Sequence, residues 1–417
     1  MERIPLAIIG CGGMGGRHLL GLKELYDSGM GNLELVAACD LRQENAEHLA
    51  DDAVGLLGAR PRVYTDMERM ARDLPDLRAV DITTDAGSHH RVACQALELG
   101  WHVLCEKPLA LTIRGCNRII AAQERYGKIV SVAENYRRDP LCRLTKALVD
   151  AGVIGRPFML FDISASSGNK IIILPWRHNK NIGGILIDAG VHNADMMQYY
   201  LGDVYEVYGR IERFEPVRYK PEGHSALSPF YERWDGEVPP MIQASAEDSL
   251  LAMLKFTSGV SGQWTAFHAA HGEGFGRMMI YGSQGSLRSG GARSGVPPAI
   301  CLDDRGELSP EDILALVPGF HLDEITARLY GSERLAAYHI PFPEADRRLL
   351  AIEYFEFGQC VRLNQQPEVD ALVGRKDLAV CYAAFESSLL NRPVTLAEIE
   401  AEQVGAYEAE INAYWKL

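Results

Sequence analysis

The sequence has no apolar run long enough to cross a membrane and no cysteine spacing typical of a zinc site. No stretch approaches the ~20 consecutive apolar residues that a transmembrane helix needs. The nine cysteines are scattered, and the first predicted strand begins directly after residue 5, which leaves no room for a signal peptide. We therefore expect reduced thiols and a cytoplasmic protein that does not contact membranes.

Positive charge is also scarce. The chain has 42 Lys and Arg against 56 Asp and Glu, a formal net charge of −14 at pH 7. Because nucleic-acid binding needs a basic surface, nucleic acid is not an expected partner.

His268 and His271 are three residues apart but lack a clear carboxylate partner in the sequence, so we predict no metal site.

A strand, a glycine-rich turn, a helix, a second strand and an acid follow one another between Leu6 and Asp40. This order is typical of dinucleotide-binding proteins, in which the turn and the helix N-terminus receive the diphosphate and the acid binds the ribose. Asp40 favours NAD because it would repel a 2′-phosphate, whereas Arg42 leaves NADP open. The predicted contacts of the turn are Gly10, Gly12, Gly13, Met14 and Gly15.

Further strands alternate with helices as far as residue 135, which predicts a doubly wound parallel sheet of six strands in residues 1–135. Ligands of such sheets bind beyond the carboxyl ends of the strands. Thr83 and Thr84 follow one strand, and Glu106 and Lys107 follow the next. These residues are therefore candidate neighbours of the cofactor, and Pro108 is expected to fix the direction of Lys107 through a cis or otherwise sharp turn.

After residue 136 the pattern changes to long strands, with a tight turn at Ser258-Gly259. We predict that residues 136–417 form an α+β domain with a large, open and mostly antiparallel sheet, which binds substrate and supports oligomer contacts. Residues 216–240 and 289–343 fit neither pattern and are predicted insertions.

A second group of polar residues lies between the first two strands of this domain. If the segment after Gly183-Gly184 is helical, Asp188 and His192 are four residues apart on one face, with Asp195 three further on. A carboxylate beside an imidazole fixes its tautomer and raises its basicity. Such a pair suits removal of a hydroxyl proton as hydride leaves the same carbon.

Together these motifs resemble the Gfo/Idh/MocA oxidoreductases, the relatives of glucose–fructose oxidoreductase and inositol dehydrogenase. The matching elements are the glycine-rich turn, Thr84 with His89, Glu106-Lys107-Pro108, and Gly183-Gly184 with Asp188 and His192. Further matches are Glu247-Asp248, the Ser258-Gly259 turn, and Ile280-Tyr281-Gly282-Ser283 before Gly285-Ser286. One departure is Thr84-Asp85-Ala86, where the family usually has Thr-Pro-Asn, and the chain is also longer than simple members.

The resemblance implies a catalytic group of Lys107, Asp188 and His192, with Glu106 and Asn135 near the nicotinamide. Motif and resemblance together add His89, Trp176 and Arg177 as cofactor contacts. The substrate contacts are expected to be Lys107, Tyr136, Arg137, Arg177, His178, Asp188, His192 and His268.

The leading interpretation is an NAD-dependent dehydrogenase that oxidises a secondary hydroxyl of a sugar, glycoside or cyclitol, acting as a homo-oligomer, either a dimer or a tetramer. The sequence leaves open which of Lys107 and His192 takes the proton. One alternative is a redox-neutral glycosidase that oxidises, eliminates, adds water and reduces with retained NAD. Another is a non-enzymatic NAD-binding regulator. An acidic sugar is a further option, because arginines close to the site in sequence suit anionic groups.

Overall fold

A computed structural model describes residues 3–222 and 228–417. These residues form two compact units. The first unit consists of Met1–Asn135, Ala226–Arg233 and Pro343–Arg375, and the second of Tyr136–Ser225, Trp234–Phe342 and Lys376–Leu417. Residues 223–227, which belong to the predicted insertion 216–240, lie outside the described residues.

The first unit is built on a parallel sheet. Its strands are β1 (Ile4–Ile9), β2 (Leu33–Cys39), β3 (Arg62–Tyr64), β4 (Ala79–Ile82), β5 (His102–Glu106) and β6 (Val130–Ala133). They pair in the order β3-β2-β1-β4-β5-β6, and every neighbouring pair is parallel. In such a sheet the ligand lies at the point where the strand order reverses, between β1 and β4. The prediction of a doubly wound sheet is confirmed.

Five helices connect these strands. They are α1 (Gly13–Asp27), α2 (Gln43–Leu57), α3 (Met67–Asp73), α4 (His89–Glu98) and α5 (Ile113–Tyr126). Local chemistry sets several of their ends. Asp66 and Thr112 accept hydrogen bonds from backbone N–H groups in the first turns of α3 and α5, as N-cap residues do. Gly58 ends α2 in the left-handed conformation that favours glycine.

The second unit contains the larger sheet. Its strands, together with a separate β9–β10 pair, are β7 (Pro157–Ser167), β8 (Val204–Glu212), β9 (Val217–Tyr219), β10 (Met241–Gln243), β11 (Ser249–Phe256), β12 (Ser261–Ala270), β13 (Phe275–Gly282), β14 (Gly285–Arg288), β15 (Ala299–Leu302), β16 (Gly306–Glu307) and β17 (Val394–Thr395). Within the described residues the sheet order is β16-β15-β14-β13-β7-β12-β11-β8-β17. The β7–β12 pair is parallel and the other pairs are antiparallel. The expected open, mostly antiparallel sheet is confirmed.

The remaining helices are distributed over both units. They are α6 (Pro140–Asp150), α7 (Ile185–Asp188), α8 (Gly190–Leu201), α9 (Ser228–Tyr231), α10 (Pro310–Ala315), α11 (Glu324–Tyr330), α12 (Phe342–Leu363), α13 (Ala371–Leu390), α14 (Leu396–Glu400) and α15 (Ala409–Trp415). In the part of the chain that the structure describes, every helix is too short or too polar to span a bilayer.

Two segments predicted for the second domain, residues 228–233 and 343–375, belong instead to the first unit. Residues 343–375 contribute α12, which packs against α1 so closely that a Cβ atom on Gly21 would lie 2.6 Å from the Cβ atom of Leu350. Asn32 also donates a hydrogen bond to the carbonyl of Phe355. The sequence pattern shows that α12 has an apolar face but does not show which sheet that face covers. Within 289–343, the strands β15 and β16 extend the second unit's sheet.

Candidate active site

The glycine-rich turn joins β1 to α1 at the ligand edge of the first sheet. Gly10 has φ +99°, and a side chain there would lie 2.7 Å from the backbone of Thr83. A Cβ atom on Gly15 would lie 2.4 Å from the carbonyl oxygen of Gly10, so α1 packs directly on the turn. Among the described residues no side chain caps α1, and its first turn holds no acid. The N-terminus of α1 is therefore suited to an anionic diphosphate.

Asp40 lies at the carboxyl end of β2 and is fixed by the turn. Its Oδ2 atom accepts a hydrogen bond from the backbone N–H of Cys11 at 2.7 Å, and its Oδ1 atom accepts one from the N–H of Arg42 at 2.8 Å. A carboxylate held in this way can accept a further hydrogen bond from a ribose hydroxyl. The side chain of Arg42 is exposed.

Thr83, Thr84 and His89 organise the edge that follows β4. The Thr83 hydroxyl donates to the carbonyl of Gly10 at 2.6 Å, which ties this edge to the turn. The two ring nitrogens of His89 lie 2.9 Å from the carbonyl oxygen of Pro108 and 3.2 Å from that of Thr84. His89 is buried, so it connects the β4 and β5 edges from within.

Lys107 follows β5 and is partly exposed, and the Lys107–Pro108 peptide bond is cis, as the sequence suggested. The backbone N–H of Lys107 donates to Oε2 of Glu106 at 3.0 Å. Asn135, just after β6, is buried, and its Oδ1 atom has no hydrogen-bond partner among the described residues. A buried acceptor of this kind is suited to a donor on a bound ligand, which fits a cofactor at this edge.

Sequence reasoning missed the buried partners of Glu106. The two ring nitrogens of His18 lie 2.9 Å from Oδ2 of Asp81 and 3.0 Å from Oε1 of Glu106, and the Tyr354 hydroxyl also donates to Asp81. Burial acts to raise the pKa of Glu106, but the hydrogen bond and charge of His18 hold it below its ordinary value. The sequence feature that could have indicated this cluster is Asp81, a carboxylate within an otherwise apolar strand.

In the second unit, Gly183 and Gly184 lead into α7, which ends at Asp188. A Cβ atom on Gly183 would lie 2.5 Å from the Trp176 ring, and the Arg177 guanidinium carbon stands 5.1 Å from the centre of the same ring. The Nη2 atom of Arg177 lies 3.0 Å from Oδ2 of Asp188. Arg177, predicted as a cofactor contact, thus pairs with the catalytic candidate Asp188, while Trp176 packs against Arg177 and Gly183.

His192 lies near the start of α8, after a break in the helix at Ala189 that the sequence did not predict. The Tyr136 ring stacks on the His192 ring, with centroids 4.0 Å apart and planes 1° from parallel. Arg293 donates to the Tyr136 hydroxyl at 2.7 Å. One face of the imidazole is therefore covered by an aromatic ring that is itself held in place.

A cavity of about 230 Å³ adjoins His192 and Tyr136 within the second unit. Its lining includes Asp162 and the neighbouring Asn193, whose amide donates to Oδ2 of Asp162 at 2.8 Å. Burial raises the pKa of the Asp162 carboxyl to about 7, although the hydrogen bond from Asn193 acts to lower it. Neither residue was singled out from the sequence. The sequence feature that could have identified Asp162 is its position as a carboxylate within a largely apolar strand.

Comparison with known proteins places these two units in one family. Residues 4–134 match the family profile described as "Oxidoreductase family, NAD-binding Rossmann fold", and residues 142–288 match the GFO/IDH/MocA C-terminal domain. The chain belongs to the Gfo/Idh/MocA oxidoreductases. The predictions of the family, of NAD as cofactor and of an NAD-dependent dehydrogenase are confirmed.

Relatives of this Gfo/Idh/MocA protein include two named sugar dehydrogenases. Levoglucosan dehydrogenase of Pseudarthrobacter phenanthrenivorans is 30% identical over 69% of this chain and 73% of its own. D-apiose dehydrogenase of Paraburkholderia graminis is 31% identical over 96% of this chain and 92% of its own. The crystal structure of an oxidoreductase domain protein from Kribbella flavida has a TM-score of 0.75 at 25% identity, over 95% of this chain and 100% of that one.

Several predicted substrate contacts of this family member also have partners within the second unit. Arg137 is buried and forms an ion pair with Asp195. His178 is buried, and its Nε2 atom accepts from the backbone N–H of Ile172 at 2.9 Å. These contacts stabilise the second unit.

His268 occupies an intermediate position. Burial, followed by the charge of Arg218, lowers its pKa to about 4, while the charge of Asp188 acts in the opposite direction. At neutral pH His268 is therefore uncharged, and it lies close enough to Asp188 for that carboxylate to affect its pKa. His271 is exposed and contacts Glu215 at 2.8 Å. Across residues 3–222 and 228–417, no group of three or more His, Cys, Asp or Glu side chains is arranged to hold a metal ion.

Proposed function

We propose that this protein oxidises a secondary hydroxyl of a sugar, glycoside or cyclitol and passes the hydride to NAD. The observation that carries the proposal is His192, stacked on Tyr136 and adjoining a cavity with polar groups in its lining. Levoglucosan dehydrogenase and D-apiose dehydrogenase, the relatives described above, act on carbohydrates by name. A small polyhydroxy compound is therefore the proposed substrate class.

In the second unit, His192 is proposed to accept the hydroxyl proton. The carboxylate of Asp188, held by Arg177, favours a positive charge on a nearby imidazole. General base catalysis of this kind is typically worth ~10²–10⁴-fold in rate. The stacked Tyr136 ring limits the positions that the imidazole can adopt, so the acceptor nitrogen is pre-oriented.

In the first unit, the proposed cofactor contacts are the turn, Asp40 and Asn135. NAD bound at these residues would supply the hydride acceptor. Backbone N–H groups at the start of α1 would hold its diphosphate, and Asp40 would accept a hydrogen bond from its ribose. Lys107 is proposed to donate a hydrogen bond to the reacting oxygen, and a positioned donor is worth roughly 10²–10³-fold in rate. If Lys107 and His192 exchange roles, both remain essential.

Kinetics of variants test this assignment. NADH formation would be followed by absorbance with levoglucosan, D-apiose and myo-inositol as candidate substrates. Lys107→Met and His192→Asn should each lower kcat at least ~10²-fold while the Kd for NAD changes less than about threefold. Lys128→Met is the matched control, because Lys128 is partly buried but precedes β6 at the opposite edge of the sheet. Near-normal turnover by Lys107→Met or His192→Asn would contradict the proposal.

The relatives found do not favour the glycosidase alternative, since those described above are named dehydrogenases. The same preparation discriminates between the two reactions. A dehydrogenase forms one NADH for each hydroxyl oxidised and releases no aglycone from an aryl glycoside. Aglycone release without net NADH would overturn the dehydrogenase assignment.

A further inference from the structure

The cavity beside His192 is bounded on one side by two strands of the large sheet. In the β7–β13 pairing, Asp162 is opposite Met278 and Ser164 is opposite Gly276. Directly opposite residues of antiparallel strands point to the same face, and successive residues alternate. Asp162, Ser164 and Gly276 therefore share the face that lines the cavity.

The register also determines where the nearest sheet cation lies. Arg277 is opposite Ile163, so its side chain projects from the other face, and the residue is exposed. The cavity lining contains no lysine and no other arginine among the described residues. Among the described lining residues, the groups that could carry a positive charge are therefore His192 and the outward-projecting Arg277.

Asp162 and Asn193 offer acceptors to this cavity. Asp162 is only 6% exposed, and Asn193 is its one hydrogen-bond partner among the described residues. The Asn193 amide N–H donates a hydrogen bond to Oδ2 of Asp162. Oδ1 of Asp162 and the side-chain carbonyl oxygen of Asn193 are therefore the acceptors that can bind a ligand. A buried acceptor requires a donor, and an anionic ligand group beside the poorly solvated Asp162 is disfavoured when this carboxyl is ionised, that is, above its pKa of about 7.

We infer that this cavity binds the non-reacting hydroxyl groups of the substrate and that the Asp162–Asn193 pair selects uncharged polyols against sugar acids. The inference rests on the proposed function and names its substrate class. A volume of about 230 Å³ suits a single small ring, since pockets for drug-sized ligands hold ~300–1,000 Å³. The Asp162–Asn193 pair accepts hydrogen bonds from the neighbouring hydroxyl groups of the substrate, while His192 accepts the proton of the reacting hydroxyl.

Gly276 provides a way to fill the cavity without disturbing the sheet. No described atom lies within 4 Å of a Cβ atom built on Gly276, and its φ is not in the left-handed region. Gly276→Val should therefore fold normally and occupy ligand space. Gly319→Val is the matched control, because Gly319 has the same open surroundings and lies outside the lining.

The test measures binding rather than turnover. The full-length protein is saturated with NADH, so that added polyol is not oxidised, and the affinities of myo-inositol, levoglucosan, D-apiose and D-glucuronate are measured by calorimetry or saturation-transfer NMR. At least one neutral probe should bind, and at least tenfold more tightly than D-glucuronate. Gly276→Val and Asp162→Ala should each weaken that binding at least tenfold, while Gly319→Val leaves it unchanged. Asp162→Asn should narrow the preference against D-glucuronate.

The results separate this inference from the proposed function. Wild-type protein that binds no neutral probe, or binds D-glucuronate as tightly, overturns the inference. Unchanged neutral-probe binding in both Gly276→Val and Asp162→Ala also overturns it. If neutral probes bind in the expected way but none is oxidised with NAD, the inference stands and the proposed dehydrogenase reaction fails. Matching circular dichroism spectra of all variants exclude misfolding as the cause.

Discussion

Replacing His18 removes a buried imidazole that bridges two carboxylates at the ligand edge of the first sheet. One ring nitrogen of His18 lies 2.9 Å from Asp81 and the other 3.0 Å from Glu106, and all three side chains are buried. Ionised carboxylates only accept hydrogen bonds, so both ring nitrogens must donate in these contacts, and an imidazole donates from both nitrogens only when it is protonated. We therefore predict that His18 is an imidazolium at neutral pH.

The size of the effect follows from the contacts. Burial acts to lower the pKa of His18, but Asp81 and Glu106 overcome burial and raise the pKa to about 10. Against an ordinary value of about 6.5, this difference corresponds to about 5 kcal/mol in favour of the protonated form. Because the folded-state pKa is raised, this stabilisation is complete below about pH 6.5 and is lost as the pH rises toward 10.

The protonation state can be measured directly with 15N-labelled histidine. At pH 8.5 an ordinary imidazole is about 1% protonated, whereas His18 should be about 97% protonated. One of the 12 histidines should therefore show two protonated ring nitrogens, and His18→Gln should abolish that signal. Tyr354→Phe, which removes a donor from Asp81 but keeps both carboxylates, should retain it. A neutral tautomer for His18 at pH 8.5 would refute the reasoning.

Three other substitutions probe the first unit. Gly15→Ala should weaken NAD binding at least tenfold by calorimetry, because its Cβ atom would lie 2.4 Å from a carbonyl oxygen of the turn, whereas Gly16→Ala, with open surroundings among described atoms, should not. Asp40→Ala should weaken NAD binding by about 1–2 kcal/mol and reduce the ratio of the affinity for NAD to the affinity for NADP. Equal affinities for NAD in wild type and variant would contradict this role. Arg17→Met should destabilise the protein by about 3–5 kcal/mol in thermal unfolding by removing the guanidinium partner of buried Asp346, and Asp346→Leu in the same chain should recover much of the loss.

The sheet of the first unit could be predicted because its signals are local. An apolar run, a glycine turn and an acid 25 residues after Gly15 define β1, α1 and β2 without any distant contact. The packing of α12 could not be predicted in this way. Its ion pair with α1 joins Arg17 to Asp346, 329 residues apart in sequence, and neither residue carries a pattern that identifies the other.

The predicted site shows the same limit at single side chains. A polar residue at a strand end is expected to face the ligand edge of the sheet. Its position in the sequence does not predict whether its side chain already forms an ion pair or hydrogen bond with another part of the chain. Arg137 follows the last strand of the first sheet, as a ligand contact would, yet its guanidinium pairs with Asp195, 58 residues later. His178 likewise accepts a hydrogen bond from the backbone N–H of Ile172. Only the fold distinguishes such residues from Asn135, whose buried acceptor lacks a partner among the described residues.

Buried aspartates in this chain differ in whether an arginine balances their charge. Asp195, Asp248 and Asp346 are buried, and each forms an ion pair with an arginine. Their charges are balanced within the fold, as is the charge of the catalytic candidate Asp188 by Arg177. Asp162 is equally buried, but its hydrogen-bond partner is the neutral amide of Asn193. A buried carboxyl paired with a neutral amide keeps its charge at a cost to the fold unless further donors complete its hydrogen bonding, and that cost is the physical reason to expect ligand hydroxyl groups there.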